Sequence, residues 1–209
     1  MIRFLIFNFF ILLNSRKCKK LSRAVPGFRK CSRSHRIPTN SVSHQGLSTS
    51  SPYCSSTPRW KYDVFLSFRG EDTRRSFTDH LYDALKRKGV LTFRDDEKLE
   101  RGKSISQELL NAIEESRFAI IIFSRNYASS IWCLNELEKI VRSMKETGLT
   151  ILPVFYDVDA SNVRNQTGPF QNAFDDLEDQ FKGNMEKVEI WRAALREVAN
   201  LAGWPLQNR

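Results

Sequence analysis

From Tyr62 onward, apolar residues recur in two alternating rhythms. Tyr62 to Phe68 packs Val64, Phe65, Leu66 and Phe68 into a short run, which predicts a buried strand. Thr73 to Lys88 then places Phe77, Leu81 and Leu85 four apart, the stripe of an amphipathic helix, and Gly89 closes it. Val90 to Arg94 predicts a second strand. A charged loop, Asp95 to Lys103, leads into a helix with Ile105, Leu109, Ala112 and Ile113 on one side. Phe118 to Phe123 is nearly pure apolar, as expected of a strand covered on both faces. After a polar turn, Ser124 to Ser130, a helix from Cys133 to Thr147 carries Leu134, Leu137, Ile140, Val141 and Met144 and ends at Gly148. Leu149 to Tyr156 predicts a fourth strand. The remainder, with Phe170, Phe174, Leu177 and Phe181 and then Val188, Trp191, Leu195 and Val198, predicts two more helices. Strands and helices that alternate with short connections imply an α/β fold, four or five parallel strands joined by right-handed crossovers and flanked by helices on both faces.

Residues 1 to 59 have a different texture. An apolar run, Phe4 to Leu13, opens the chain, but at about 1.5 Å of rise per residue it covers only about 15 Å of a roughly 30 Å hydrocarbon core. No stable membrane span is expected from it. The segment after Leu13 is basic, Ser-rich and free of acids, with Pro26, Pro38, Pro52 and Pro58 scattered through it, a composition expected to stay disordered. A targeting peptide, a weak membrane anchor and a plain leader are the three readings; the plain leader is favoured. The chain therefore divides into a leader over 1–59, a domain over 60–206 and a C-terminal end at 207–209.

Charge respects the same division. Twelve of the 33 basic residues and none of the 24 acidic ones lie in residues 1 to 62, leaving 21 basic against 24 acidic beyond, a net charge of about −3 on the domain. The overall +9 thus belongs to the leader and not to a groove, and nucleic-acid binding is not expected. Cys18, Cys31, Cys54 and Cys133 have no C-x-x-C spacing, so neither a disulfide framework nor a metal site is indicated. Asn165-Gln166-Thr167 is a glycosylation triplet of the kind that arises by chance.

Several α/β sites are excluded by spacing. Phe68-Arg69-Gly70-Glu71-Asp72-Thr73 after the first strand is no dinucleotide fingerprint. Gly102-Lys103-Ser104 imitates the end of a phosphate loop, but Glu97 stands where that loop needs glycine. A phosphate-accepting receiver would need an Asp at the end of the third strand, which instead reads Phe123-Ser124. There remains Trp132-Cys133-Leu134-Asn135-Glu136, which delivers Glu136 to a helix start beside the C-terminal end of a strand, where open α/β sheets bind ligands. Ser130 is the candidate N-cap. Two readings stay open on this pattern. Glu136 is either a catalytic carboxylate or a first-turn residue that complements the helix dipole beside a core Trp132 and a small buried Cys133.

Tyr62 through Arg74, reading YDVFLSFRGEDTR, resembles the first motif of plant-type TIR (Toll/interleukin-1 receptor) domains. Asp95-Asp96 with Leu99-Glu100-Arg101-Gly102 is similar to their BB loop, and Ser130 through Leu137 to their third motif. Pro153-Val154-Phe155-Tyr156 and Gly203-Trp204 complete the series in order. The resemblance covers about residues 60 to 206. It implies a flavodoxin-like sheet of five parallel strands. In plant members this domain usually precedes a nucleotide-binding domain and leucine-rich repeats; without a complete Walker motif here, the chain is expected to be a TIR-only protein or a truncated receptor product.

Chemically, the resemblance implies hydrolysis of NAD⁺ at the nicotinamide–ribose bond, with or without cyclisation of the ADP-ribose, in plant immune signal transduction. NAD⁺ is then substrate, and no cofactor is implied. Glu136 corresponds to the catalytic glutamate, Ser130 and Trp132 to the lining of the nucleotide pocket, and Arg69 and Gly70 to its border, with Arg69 available to a phosphate. Self-association with like domains is implied through the BB loop, which includes Gly102, and through the first helix. There relatives carry Ser-His and this chain has Asp79-His80, an added charge at that contact. Asp159-Ala160-Ser161 stands where relatives have proline in the middle, a change expected to loosen a loop. The competing reading is a non-catalytic adaptor that binds other TIR domains. A cytoplasmic location is expected, with organelle targeting or membrane association through residues 1–60 as the alternative.

Overall fold

The computed structural model describes residues 60–94 and 107–207. Five strands form one parallel sheet: β1 (Tyr62–Phe68), β2 (Thr92–Arg94), β3 (Ser116–Phe123), β4 (Thr150–Tyr156) and β5 (Trp204–Leu206), in the order β2-β1-β3-β4-β5. The register pairs Val64 with Phe118 and Phe68 with Ile122, then Phe118 with Thr150 and Phe123 with Phe155. The expected flavodoxin-like arrangement of five parallel strands is present. Its order changes direction between β1 and β3, and a crevice opens at the C-terminal ends of strands at such a switch.

Burial explains why the central strands are readable as apolar runs. Val64 to Phe68 and Phe118 to Phe123 are buried residue after residue, because both faces of the sheet are covered. Strand alternation sends Phe65, Ala119, Ile121, Phe123, Ile151 and Phe155 into one continuous core. Helices α3 (Gln107–Glu114), α4 (Ile131–Thr147), α6 (Pro169–Gln180) and α7 (Met185–Ala199) contribute to that core through Leu109, Ile113, Leu134, Leu137, Phe170, Phe174, Trp191 and Leu195. The short α5 (Ala160–Asn165) adds Val163.

Three elements differ from expectation. The first helical region starts at Gly70 rather than Thr73: α1 (Gly70–Thr73) runs through a π-helical turn (Arg74–Thr78) into α2 (Asp79–Arg87). That wide turn is stitched by Thr78 Oγ1, which donates to Thr73 Oγ1 at 2.8 Å with both side chains buried. Three helices, not two, come after β4, since α5 occupies the segment expected to be a loose loop. Trp204 belongs to a fifth strand, paired with Val154. The predicted loop Asp95 to Lys103 and Ile105 lie outside the described residues. Among the described residues, no helix is long and apolar enough to cross a membrane.

Candidate active site

Helix α4 is launched by Ser130, whose extended backbone lets its hydroxyl accept from the Cys133 N–H at 3.3 Å. This cap fixes the phase of the helix, so that Cys133 and Glu136 turn inward together. Glu136 is 4% exposed. Its Oε2 accepts a 2.7 Å hydrogen bond from Ser67 Oγ, near the C-terminal end of β1 and itself fully buried. Ser67 Oγ also lies 2.9 Å from the Tyr127 hydroxyl, which donates to the Cys133 carbonyl at 3.2 Å. Tyr127 sits in a 3-10 turn (Tyr127–Ser129) between β3 and α4, with its ring edge-on to Phe123.

Two ionisable groups beside this carboxylate, Tyr127 and Cys133, are kept neutral. Burial, and then the nearby Cys133 and Glu136, hold the Tyr127 phenol well above its ordinary range. Burial first, and Glu136 second, likewise push the Cys133 thiol far up, so it is no thiolate nucleophile. Its Sγ donates a weak hydrogen bond to the Phe68 carbonyl at 3.6 Å. Among the described residues no group of His, Cys, Asp or Glu could hold a metal ion. Of the groups in this cluster, the Glu136 carboxylate is the one equipped for chemistry.

A polar clamp borders the C-terminal ends of β1 and β3. Asp72 accepts from Ser124 Oγ at 2.6 Å, from the Asn126 N–H at 3.1 Å and from Asn126 Nδ2 at 3.2 Å. Arg69 Nη1 donates to the Asn126 carbonyl at 2.9 Å, Nη2 pairs with Glu71, and Nε lies 3.8 Å from Asp72. Arg69 is the residue expected to be available to a phosphate. Its guanidinium is engaged within the clamp, and a phosphate would have to share it. Gly70 opens α1 beneath the Arg74 side chain, where an added Cβ would lie 3.0 Å from Arg74 Nε, while the Arg74 guanidinium covers the Phe68 ring. Trp132 is half-buried, and its indole N–H is buried with no acceptor among the described residues. Such a donor commonly has a partner when buried.

The expected self-association residues are divided. Asp79 is bound by Arg94 Nη1 at 2.5 Å, and Arg94 also stacks over Tyr82, so the charge expected at that contact is neutralised within the chain. His80 is exposed, with Nδ1 hydrogen-bonded to the Ser76 carbonyl. Gly102 lies outside the described residues. Ser67, Tyr127 and Asp72 join the candidate site by their hydrogen bonds, and the sequence pattern does not single them out. Ser67 carries a signal as the one hydroxyl in the buried run Val64 to Phe68. Tyr127, inside a polar turn, carries none.

The profile of the family described as TIR domain matches residues 61–209. TMV resistance protein N of Nicotiana glutinosa is 56% identical over 149 residues, covering 71% of this chain and 13% of that protein. Disease resistance protein RPV1 of Vitis rotundifolia is 56% identical over 159 residues, covering 76% of this chain and 11% of that protein. The chain thus spans only a small fraction of the length of the curated relatives it matches. Among solved structures, the TIR domains of the activated Roq1 resistosome, which directly recognizes the pathogen effector XopQ, share 55% identity at a TM-score of 0.66. That match covers 69% of this chain and 87% of the other.

Proposed function

The chain belongs to the TIR domain family, and from that premise we propose that it is a hydrolase of the nicotinamide–ribose bond of NAD⁺, with Glu136 as its catalytic carboxylate. The observation that carries this reading is the burial of Glu136, hydrogen-bonded to Ser67 near the C-terminal ends of the strands, where the strand order reverses. Nicotinamide departs with the bonding pair, its ring nitrogen passing from cationic to neutral, and needs no proton from an acid. The ribosyl carbon left behind is oxocarbenium-like, and a preorganised carboxylate in a site shielded from water stabilises that developing positive charge. Water then forms the new C–O bond and releases a proton; attack by a group of the same nucleotide gives a cyclised product instead.

Trp132 supports the reading through its unpartnered indole N–H, which has a hydrogen bond to offer a bound nucleotide. Ser130 serves the site by fixing the start of α4, and the clamped Arg69 and Gly70 border it. NAD⁺ is substrate in this scheme, which calls on no separate cofactor.

The relatives' names as disease-resistance proteins, and the resistosome that contains one of them, motivate the wider reading: action in plant immune signalling, in the cytoplasm, with turnover raised when like domains assemble. His80 and the loop containing Gly102 are the proposed self-association contacts, with Asp79 contributing through its pair with Arg94. The test is nicotinamide release from NAD⁺ by the full 209-residue chain held densely on beads. Wild type is expected to be active and Glu136→Ala to lose about 100-fold or more while staying folded. No release from either chain, with the beads shown to bring the domains together, sinks the hydrolase reading in favour of an adaptor.

A further inference from the structure

We propose that Ser67 and Tyr127 are positioning residues for Glu136: a two-hydroxyl relay, running from the helix that carries the carboxylate back to β1, which fixes the orientation of Oε2. The inference rests on the hydrolase reading and adds two residues that neither the sequence motifs nor the comparisons assign.

Proton inventory sets the direction of the relay. An ionised carboxylate only accepts, so the Ser67 proton goes to Glu136 Oε2, across 2.7 Å. The Ser67 oxygen is thereby left to accept from Tyr127 at 2.9 Å. Tyr127 has one proton and two acceptors, Ser67 Oγ and the Cys133 carbonyl at 3.2 Å, and shares it between them. Burial keeps the phenol protonated, so the relay does not lose its donor at working pH.

Three elements converge on this chain of oxygens: β1 supplies Ser67, the 3-10 turn supplies Tyr127, and the start of α4 supplies both the Cys133 carbonyl and Glu136. Ser67 and Tyr127 are fully buried, so both hydroxyls are shielded from bulk solvent. Hydrogen bonds linked in this way polarise one another, and a donor to the ionised form favours that form. A carboxylate that must meet a cationic ribosyl centre needs both features, a fixed direction and a maintained charge.

Among the described residues, the other ionisable groups acting on this cluster are Tyr127 and Cys133, which burial keeps neutral, and Arg69 and Asp72 on the segment after β1, already paired in the clamp. These are unchanged by substitution at Ser67, so a shift in pH dependence there reports on the relay.

The experiment compares full-length wild type, Ser67→Ala, Tyr127→Phe and Glu136→Ala on beads, measuring kcat, KM and the pH profile of kcat for nicotinamide release, with folding followed by circular dichroism. Ser67→Ala is expected to lower kcat about 10- to 100-fold with KM within about threefold of wild type. Its acid limb should move about one pH unit upward, because the ionised form has lost a donor. Tyr127→Phe, which deletes one oxygen from an otherwise isosteric ring, should shift both quantities in the same direction by less. If Ser67→Ala keeps wild-type kcat and an unmoved acid limb, the proposal is overturned and the hydrolase reading stands. A loss of rate that matches a loss of folded protein, with the limb unmoved, overturns it equally. Inactive wild type under the same conditions removes the hydrolase reading, and the relay's role with it.

Discussion

Asn126 gives both its backbone N–H and its side-chain amide to the carboxylate of Asp72, at 3.1 and 3.2 Å, closing the β3–α4 turn onto the segment after β1. The two residues lie 54 positions apart and join α1, which follows β1, to the turn after β3, across the strand-order reversal. Ser124, buried, adds a third hydrogen bond to the same carboxylate. Asp72→Ala leaves these donors without their acceptor, and stability is expected to fall by about 1–3 kcal/mol. Urea unfolding of the two chains checks this; an unchanged midpoint would show that the turn holds without the clamp.

Cys133 is expected to resist alkylation in the folded chain. Burial raises its thiol far above the ordinary range, Glu136 adds to the shift, and the sulfur is almost inaccessible. Iodoacetamide treatment near neutral pH, with peptide mass mapping afterwards, should leave Cys133 unmodified until denaturant is added. Rapid native-state labelling would mean that α4 opens locally.

Ala160 lies at the first position of α5, not in a loose loop. Asp159 caps that helix by accepting from the Ser161 N–H at 2.7 Å; hydrogen bonding from the Ser161 side chain, and then from this N–H, holds its carboxyl below the usual range, and its own backbone is extended, with φ −82° and ψ 134°. A first-turn proline needs no N–H there and tolerates that preceding conformation. Ala160→Pro is therefore expected to raise stability by about 0.4–1 kcal/mol, chiefly by restricting the unfolded chain. A lower melting temperature for the variant would contradict the helical placement.

At Gly203 space, not backbone angle, excludes a side chain. A Cβ would lie 2.5 Å from Phe155 Cε2 and 2.7 Å from the Pro153 carbonyl oxygen, so β5 would have to lift from β4. Gly203→Ala should destabilise by about 1–3 kcal/mol. Gly183→Ala, where nothing lies within 4 Å, is the control expected to change little in a thermal melt.

Burial decides which elements are legible in the sequence. β1, β3 and β4 are covered on both faces and therefore read as apolar runs, and α4 shows its stripe because one side packs against the core. α5 escapes such a reading because a six-residue helix with one buried residue, Val163, has no period to detect. β5 is three residues long and contains Pro205, too little pattern for a strand. The π-helical turn shifts the start of the first helix without altering the spacing of Phe77, Leu81 and Leu85. Glu136 and its Ser130 cap are local features and can be read. The contacts of Ser67 and Tyr127 with that carboxylate are set by the sheet register and the 3-10 turn, so no neighbouring residue announces them.

The most direct test of the proposed chemistry is the rate of nicotinamide release by bead-bound wild type beside Glu136→Gln, a variant that keeps the shape of the side chain and an acceptor for Ser67 but removes the charge. Stabilisation of a ribosyl cation by that charge predicts a loss of about 100-fold or more in kcat with unfolding behaviour unchanged. Equal turnover by the two chains would contradict the central claim and leave Glu136 as a buried structural residue.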